Sequence, residues 1–334
     1  MVFPTLSVII ANYNYGKYIE EAIDSVINQD FPKDEIELIV VDYGSNDDSI
    51  EKINKYKNII KIFLQKVTYI DAINKGISLA KGKYIAFLGS DDKWKREKSK
   101  LQVEYLDKEK DIGLIYSDLT LIDEKGRELY SSFWKWQRIT PYKGYVLDKL
   151  IVGNFISGGT IMVRSKDKNL FYPIPKSKGF DRCEDWWIAF NIARRYKVDY
   201  IPLQLTLYRM HDKNMVLQDF KYKNIYIKNI ISELNEDIKR RETMISIILE
   251  DKNCYLSEKK IHLLINYNKK TKFKKEILES NRKNLLKKLI LYFKNYKNFI
   301  EIENYLIIFK VVILRLNPKL YNKLRKFKFK LFNP

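Results

Sequence analysis

Short apolar runs alternate with amphipathic stretches along the N-terminal part of the chain. The apolar runs have the length of strands and are rich in β-branched residues, and they cover 6–11, 37–42, 59–64 and 84–88. The amphipathic stretches have apolar residues at helical spacing, and they cover 18–29, 50–56 and 71–80. Strands that alternate with helices predict an α/β fold with a mostly parallel, doubly wound sheet.

Three of the predicted strands end in polar clusters. These clusters are residues 12–14, residues 42–48, and Asp91 with Asp92. Right-handed crossovers bring the carboxyl ends of parallel strands to one rim, where ligands bind in open α/β sheets. We therefore expect the three clusters to converge on one site.

Asp91 and Asp92 are adjacent carboxylates, and two interpretations of this acid pair remain open. A hard divalent cation that bridges to phosphate oxygens would neutralise their mutual repulsion. Alternatively, Ser90 and the acid pair cap a helix that begins near Trp94, because Ser and Asp accept hydrogen bonds from free N–H groups at such positions.

Tyr13 and Asp42 are further candidates at the same rim. The ring of Tyr13 is able to stack on a nucleobase, and the carboxylate of Asp42 is able to accept from a base N–H or a ribose hydroxyl. The alternatives are that Tyr13 is an ordinary packing aromatic in a chain with 24 tyrosines, and that Asp42 starts the turn before Gly44.

Composition restricts the partners and the compartment. The formal net charge of +20 and the pI near 9.5 favour an anionic partner such as nucleotide, nucleic acid or acidic lipid, unless coding bias alone explains the lysines. Cys183 and Cys254 lie far apart without a CxxC neighbourhood, which argues against a disulfide framework or zinc site and predicts a reducing, cytoplasmic compartment. We expect neither a secretory signal nor a membrane-spanning helix.

Near residue 215 the strand-like runs give way to Lys-rich helical stretches. A chain of 334 residues fits a large domain with an appendage, so we predict an α/β domain over 1–215 and a helical, basic region over 216–334. Residues 311–331 interleave basic and apolar residues without an acid, which is typical of a peripheral helix on an anionic membrane surface. A solvated helical appendage is the alternative. No nucleic acid partner is expected, because no readout module is recognised.

Four ordered motifs resemble family 2 glycosyltransferases of the GT-A fold, over residues 5–215. They are Ser-Val-Ile-Ile-Ala-Asn-Tyr-Asn at 7–14, Val-Val-Asp-Tyr-Gly-Ser-Asn-Asp at 40–47, Asp-Ala-Ile-Asn-Lys-Gly-Ile at 71–77 with Ala-Lys-Gly-Lys-Tyr-Ile at 80–85, and Ser-Asp-Asp at 90–92. The ordered set is specific, although no single motif is. The resemblance implies a Rossmann-like, mostly parallel sheet flanked by helices.

The same resemblance implies roles at the rim. In that family the first strand and the Asp after the second strand hold the nucleotide, which implies that Ala11, Tyr13 and Asp42 contact the base and ribose of a nucleotide-sugar donor. The family's acid pair implies that Asp91 and Asp92 hold Mn²⁺ or Mg²⁺ on the diphosphate. Asp92 is favoured as the direct ligand.

Two positions depart from the family pattern. Tyr43 stands directly before Gly44, where many members have Asp-Gly-Ser, so we align Asp42 with the Asp of the variant Asp-Gly-Gly-Ser. Gly89 stands where members often carry an additional acid. The first departure bears on the base contact, and the second bears on the metal site.

Glu184 and Asp185 begin a predicted helix, where acids are favoured by the helix dipole. The resemblance gives a second interpretation, because the family's catalytic segment has the same Glu-Asp before an aromatic helix. It implies that Asp185 is the general base, with Glu184 as the runner-up. Burial beside tryptophans and the charge of Glu184 would raise the pKa of Asp185 toward working pH.

Residues 207–214 resemble the Arg-x-His-x-x-Asn ending of the family. The resemblance implies that Arg209 neutralises phosphate and that His211 contacts the diphosphate or ligates the metal. For His211, one of two histidines in the chain, the alternative is a satisfied structural residue.

Residues 130–144 contain Phe133, Trp134 and Trp136 without clean periodicity, which predicts a loop over the site. Aromatic faces pack against sugar rings, so this loop is a candidate grip for an acceptor. Core packing of the tryptophans is the alternative.

Together these features predict a metal-dependent, inverting glycosyltransferase. It would move a sugar from a nucleotide diphosphate sugar, with UDP favoured, to a hydroxyl of a saccharide or lipid-linked saccharide. One alternative is a sugar nucleotidyltransferase, which needs a Gly-rich phosphate loop where residues 12–18 offer only Gly16 and Lys17. The other is a non-catalytic, membrane-associated protein that binds nucleotide sugars.

Overall fold

The computed structural model describes residues 4–176, 179–212, 214 and 227–279. Its strands are β1 (Leu6–Asn12), β2 (Ile36–Asp42), β3 (Ile60–Phe63), β4 (Tyr84–Gly89), β5 (Lys93–Trp94), β6 (Ile112–Ile122), β7 (Glu128–Tyr130), β8 (Met162–Arg164) and β9 (Lys197–Arg209). Its helices are α1 (Ile19–Ile27), α2 (Ser49–Asn54), α3 (Tyr69–Leu79), α4 (Lys98–Lys108), α5 (Phe133–Gln137), α6 (Leu147–Val152), α7 (Glu184–Ala193), α8 (Ile227–Glu250) and α9 (Glu258–Glu279).

The described strands form one mixed sheet in the order β3-β2-β1-β4-β8-β6-β9-β5, with β7 paired to β6. The first four strands in this order are parallel, whereas β8 runs antiparallel to both β4 and β6. The predicted α/β fold with a largely parallel sheet is confirmed. The register places Asn12 opposite Asp42 and Ala11 opposite Gly89, so the polar clusters after these strands share a rim.

The central strand β1 is buried along its whole length, which explains its continuous apolar sequence. Val8 and Ile10 pack in one cluster with Ile19 and Ile23 of α1. Full burial of each large aliphatic side chain is worth roughly 1.5–3 kcal/mol. The strands whose carboxyl ends carry the polar clusters are therefore anchored in the core.

On the opposite face of β1, α3 makes a close contact through Gly76. A Cβ at this position would lie 2.5 Å from Cγ2 of Ile9. Overpacking costs about 1–3 kcal/mol, while alanine gains about 1 kcal/mol over glycine in helix propensity. We therefore expect Gly76→Ala to lower the free energy of unfolding by up to about 2 kcal/mol, measured by chemical denaturation.

The matched control for this prediction is Gly153→Ala, at the end of α6. Nothing lies within 4 Å of its Cβ position, and its φ of −173° suits any residue. The free energy of unfolding of the Gly153→Ala variant should stay close to that of the unchanged chain. Equal stability of the two variants would contradict the tight contact between α3 and β1.

The helix predicted to begin near Trp94 is instead strand β5, which pairs with β9. Trp94 is buried, and its indole N–H donates to the carbonyl of Gly159 over 3.0 Å. The next helix, α4, begins at Lys98. The interpretation of the acid pair as a cap for a helix at Trp94 is therefore wrong, because tertiary pairing holds this segment extended.

The loop predicted over residues 130–144 also contains regular structure. The five residues of α5 follow Ser132, whose side chain accepts from the N–H of Lys135 over 3.2 Å and donates to buried Asp118 over 2.5 Å. Trp134 meets Tyr116 edge-on, with ring centroids 5.8 Å apart. The buried carboxylate of Asp118 organises the segment, and sequence periodicity does not show such an anchor.

The described residues divide into two compact units. The first contains the described residues up to 214 together with 243–261, and the second contains 227–242 and 262–279. Within the described part of the C-terminal region, α8 and α9 agree with the predicted helical character, and the boundary at 215 stays a prediction. Each described helix is either too short or too polar to span a bilayer. The predicted membrane-binding segment, 311–331, lies outside the described residues.

Candidate active site

A cavity of about 900 Å³ opens at the rim formed by the carboxyl ends of β1 and β4. The predicted site residues on its wall are Ala11, Tyr13, Asp91, Asp92, Glu184 and Asp185. Asp42, Arg209 and His211 are not on the wall. Segments that are far apart in sequence thus meet at one cavity, as the convergence of strand ends requires.

The acid pair forms the turn that follows β4, and each carboxylate has one oxygen held by protein groups. Oδ2 of Asp91 lies 3.0 Å from Nε2 of His211 and accepts from the side-chain amide of Asn214 over 3.2 Å. Oδ1 of Asp92 accepts from the backbone N–H of Arg209 over 2.9 Å. These contacts fix the orientation of both carboxylates.

The other two oxygens of the acid pair converge. Oδ1 of Asp91 and Oδ2 of Asp92 each lie 2.9 Å from the position that a Cβ on Gly89 would occupy. A side chain at residue 89 would fill this space, so the glycine that departs from the family pattern leaves it open. Two carboxylate oxygens that face one open space suit a hard divalent cation.

Burial and the charge of Asp91 raise the pKa of Asp92 well above its usual range. A cation bound at these oxygens would reverse that effect, because it favours the ionised carboxylate. Among the residues that the structure describes, no cluster of three or more His, Cys, Asp or Glu side chains is arranged to hold a metal. The acid pair therefore fits Mn²⁺ or Mg²⁺ only if substrate or water oxygens complete the coordination.

Arg209 is fully buried, and its guanidinium binds protein groups. Nε donates to the carbonyl of Asp91 over 2.8 Å, and the two terminal nitrogens donate to the carbonyl of Glu124 over 3.0 Å and to the carboxylate of Glu21 over 2.9 Å. Its carbon Cζ lies 4.7 Å from the ring centre of Tyr18. This placement differs from the expected contact with phosphate, and it makes Arg209 a support for the acid pair.

His211 is buried against two tyrosines of the segment between β1 and α1. Its ring stacks on Tyr18 with centroids 5.1 Å apart and meets Tyr15 edge-on at 5.4 Å. Its contact with Asp91 places it beside the acid pair. A role in supporting Asp91 fits this position better than a direct contact with a diphosphate in the cavity.

Asp42 is only 1% exposed, and both of its carboxylate oxygens are engaged. Oδ1 accepts from the backbone N–H groups of Gly44 and Ser45 over 3.1 and 2.9 Å. Oδ2 accepts from the side chains of Asn12 and Ser45 over 2.7 and 2.5 Å. The structure favours the alternative that Asp42 initiates the turn, with Gly44 at a φ of +108°.

Tyr13 and Tyr43 line the cavity as a stacked pair. Their ring centroids lie 5.1 Å apart at an interplanar angle of 20°. Tyr13 keeps 44% of its surface exposed, so a flat ligand has access to it. The two rings therefore form an aromatic platform at the part of the rim where the resemblance implies that the nucleotide binds.

Glu184 and Asp185 form the first turn of α7 and face different surroundings. Glu184 is buried, and its Oε1 accepts from the hydroxyl of Tyr69 over 2.7 Å. Asp185 is partly exposed at the cavity, and its Oδ1 accepts from the N–H of Trp186 over 2.6 Å. Burial first, and then the charge of Glu184, raise the pKa of Asp185 to about 8.

Among the cavity residues that sequence reasoning did not single out are Tyr69 and Arg182. Tyr69 precedes the motif at 71–77, and its hydrogen bond crosses 115 positions of sequence, which no local pattern reveals. Arg182 lies on a turn closed by the N–H of Cys183 on the carbonyl of Phe180, at 3.1 Å. Within the described part of the chain it is the one Lys or Arg that lines the cavity. Its position just before Glu184 and Asp185 is the sequence signal that could have identified it as a residue of the site.

Comparison with known proteins identifies the family of the chain. The family model for glycosyl transferase family 2 matches residues 7–171. An uncharacterized glycosyltransferase of Methanocaldococcus jannaschii is 32% identical over 233 residues, which cover 67% of this chain and 77% of that protein. The poly(ribitol-phosphate) beta-N-acetylglucosaminyltransferase TarS of Staphylococcus aureus is 34% identical over 128 residues, which cover 36% of this chain and 21% of that protein.

Solved structures share the fold. TarS residues 1–349 of S. aureus, in complex with UDP-GlcNAc, superposes with a TM-score of 0.57 at 19% identity and covers 87% of this chain and 81% of that one. The mannosyltransferase PcManGT of Pyrobaculum calidifontis, in complex with GDP-Man and Mn²⁺, superposes with a TM-score of 0.57 at 14% identity and covers 97% of this chain and 84% of that one.

The fold and the relatives define an enzyme of the transferase class. The chain belongs to glycosyltransferase family 2, and the resemblance inferred from its motifs is confirmed.

Proposed function

We propose that this glycosyltransferase moves a sugar from a nucleotide diphosphate sugar to a hydroxyl of a saccharide or lipid-linked saccharide. The observation that carries the proposal is that the acid pair, the Tyr13 platform and Asp185 all line one cavity. A UDP-sugar is the favoured donor, because the relative TarS is named an N-acetylglucosaminyltransferase and binds UDP-GlcNAc.

Asp185 is the proposed general base. Its carboxylate accepts the proton of the acceptor hydroxyl, whose oxygen forms a bond to the anomeric carbon of the donor sugar. The bond between that carbon and the diphosphate oxygen breaks, and the nucleoside diphosphate leaves with the electron pair. A single displacement of this kind inverts the anomeric configuration. A pKa of about 8 makes Asp185 a stronger base than an ordinary carboxylate.

The two acids of α7 are distinguished by their contacts. The oxygen Oε1 of Glu184 is occupied by the Tyr69 hydroxyl, and the residue is buried. Both acids line the cavity and both accept hydrogen bonds from protein groups, but Asp185 is partly exposed there, whereas Glu184 is buried. These contacts support Asp185 as the base over the runner-up Glu184.

Asp91 and Asp92 are the proposed ligands of Mn²⁺ or Mg²⁺ through the two oxygens that face Gly89. A bound cation supplies positive charge to the departing diphosphate. Arg209, His211 and the Asn214 amide hold the acid pair in place, so that the carboxylates need little reorganisation when the donor binds.

A donor screen tests this function. UDP- and GDP-sugars are added with Mn²⁺ while the melting temperature is recorded, because a ligand that binds only the folded state raises it. Donors that stabilise the protein are then incubated with saccharide acceptors, and the released nucleotide is measured. Stabilisation without release for any acceptor would favour the non-catalytic binding protein, and no stabilisation by any nucleotide sugar would reject the proposal.

The pH dependence gives a separate prediction. Asp185 must be ionised to accept a proton, and its pKa of about 8 keeps most of it protonated at lower pH. We therefore expect kcat/KM to fall about tenfold for each pH unit below about 8 and to level off above it. An acid limb near the usual carboxyl pKa of about 4 would contradict this assignment of the base.

A further inference from the structure

Tyr69 links two walls of the cavity that belong to different parts of the chain. Its hydroxyl, at the start of α3, donates to Oε1 of Glu184, at the start of α7, over 2.7 Å. Its ring also meets that of Tyr43 edge-on, with centroids 6.1 Å apart. The residue thus lies between the aromatic platform and the two acids of α7.

The first turn of α3 holds Tyr69 in place. Thr68 and Asp71 form a reciprocal capping box, in which the Thr68 hydroxyl accepts from the N–H of Asp71 over 3.3 Å and the Asp71 carboxylate accepts from the N–H of Thr68 over 2.9 Å. One turn later, Asn74 exchanges two hydrogen bonds with the backbone of Ile174, at 2.9 and 2.8 Å. The tyrosine hydroxyl is therefore presented from a rigid element.

Glu184 in turn has little freedom to move. A Cβ on Gly158 would lie 3.2 Å from the same oxygen, Oε1, that accepts from Tyr69, so the carboxylate packs closely against this glycine. Glu184 is 9% exposed. The Tyr69 hydroxyl fixes its orientation next to Asp185.

We propose that Tyr69 is a positioning residue that holds Glu184 as a fixed, charged neighbour of the general base Asp185. This inference rests on the proposed function of Asp185. Tyr69 itself takes no proton from the substrate. It acts through Glu184, whose negative charge makes Asp185 a better proton acceptor.

The groups around Glu184 and Asp185 set the direction in which the pKa values of the two acids shift. Burial raises the pKa of Glu184, and the hydrogen bond from Tyr69 lowers it. Tyr69 from α3 faces Glu184, and the Asn154 side chain and the Gly158 backbone donate to Asp185, while Tyr43 and Arg182 line the same cavity. Burial keeps the pKa of Tyr69 well above its usual value, so Tyr69 remains a donor.

The test is Tyr69→Phe, which removes only the hydroxyl. Without its donor, Glu184 is neutral over a wider pH range, and Asp185 loses the charge that raises its pKa. We expect the acid limb of kcat/KM to move to lower pH by roughly one unit. The plateau kcat should fall about threefold, as Brønsted behaviour requires for a weaker base, while the KM for the donor stays unchanged.

A measurement without turnover accompanies the kinetics. Titration of the side-chain carboxyl carbons by ¹³C NMR should show the pKa of Asp185 falling and that of Glu184 rising in the variant. Because this readout needs no substrate, it separates the role of Tyr69 from the proposed function. Unchanged pKa values of both acids would overturn the inference, even if the unchanged chain proves to be a transferase.

Tyr56→Phe is the matched control. The hydroxyl of Tyr56 donates to the carboxylate of Asp24 over 2.9 Å. Asp24 lies on α1, and neither residue lines the cavity. This variant removes the same kind of tyrosine-to-carboxylate hydrogen bond. It should leave the acid limb where it is, and an equal shift in both variants would also overturn the inference.

Discussion

Replacing Asp185 with Asn is expected to lower kcat by about 10²–10⁴-fold, the usual contribution of a general base. The amide has nearly the same shape as the carboxylate, and its oxygen is still able to accept from the N–H of Trp186. It does not accept a proton from the acceptor hydroxyl near neutral pH. Release of the nucleoside diphosphate in the presence of acceptor measures the loss, and the melting temperature with donor should still rise.

Asp181→Asn is the matched control for this experiment. Asp181 also lines the cavity, on the turn before α7, and no role is assigned to it. If Asp185 acts as a base, the control should keep its activity within a few-fold. A similar loss in both variants would instead show that activity depends on the total negative charge of the cavity. Full activity of the Asp185 variant would show that Asp185 is not the general base.

The N-terminal half of the fold follows from the sequence because its strands are buried parallel strands. Such strands have continuous apolar runs, and β1 and β4 lie within one residue of their predicted bounds. Segments whose structure depends on distant partners were less predictable. Strand β5 forms because it pairs with β9 and the Trp94 indole donates to the carbonyl of Gly159, and α5 forms beside the buried carboxylate of Asp118.

In the candidate site, too, some features follow from local sequence and others depend on distant partners. Residue types that carry chemistry identify the rim, and the strand ends bring Tyr13 and the acid pair to one cavity. What sequence does not show is which polar groups are already satisfied by the protein. Asp42 and Arg209 have the chemistry to bind a nucleotide and a phosphate, yet both are buried and use their hydrogen-bonding groups within the protein.

The supports of the acid pair explain why so many polar residues gather there. Two adjacent carboxylates, of which Asp92 is buried and Asp91 partly exposed, are unfavourable unless each is oriented and partly neutralised. Arg209 contributes both its backbone N–H and its side chain, and the side chains of His211 and Asn214 lie against one oxygen of Asp91. The Arg-x-His-x-x-Asn motif therefore contacts the acid pair, and in the proposed function it would act on the substrate through Asp91 and Asp92.

Asp92→Asn should lower activity by about 10²–10³-fold, comparable to the loss of one preorganised electrostatic group. The Asn oxygen is able to keep the contact with the N–H of Arg209, so the turn should be preserved. Because burial and the charge of Asp91 raise the pKa of Asp92, this carboxyl destabilises the folded protein at any pH above its ordinary pKa. The neutral amide removes that destabilisation, so without metal the variant should be at least as stable as the unchanged chain.

Chelation separates the loss of metal from other effects of this substitution. Removing divalent cations from the unchanged chain should reproduce the loss of activity, and Mn²⁺ should restore it. The same treatment of the Asp92 variant should add little, because two changes that remove one interaction are not additive. Full activity of the chelated, unchanged chain would show that departure of the diphosphate does not depend on a cation at Asp91 and Asp92. In that case Arg182, as the cation lining the described part of the cavity, would be the next group to replace.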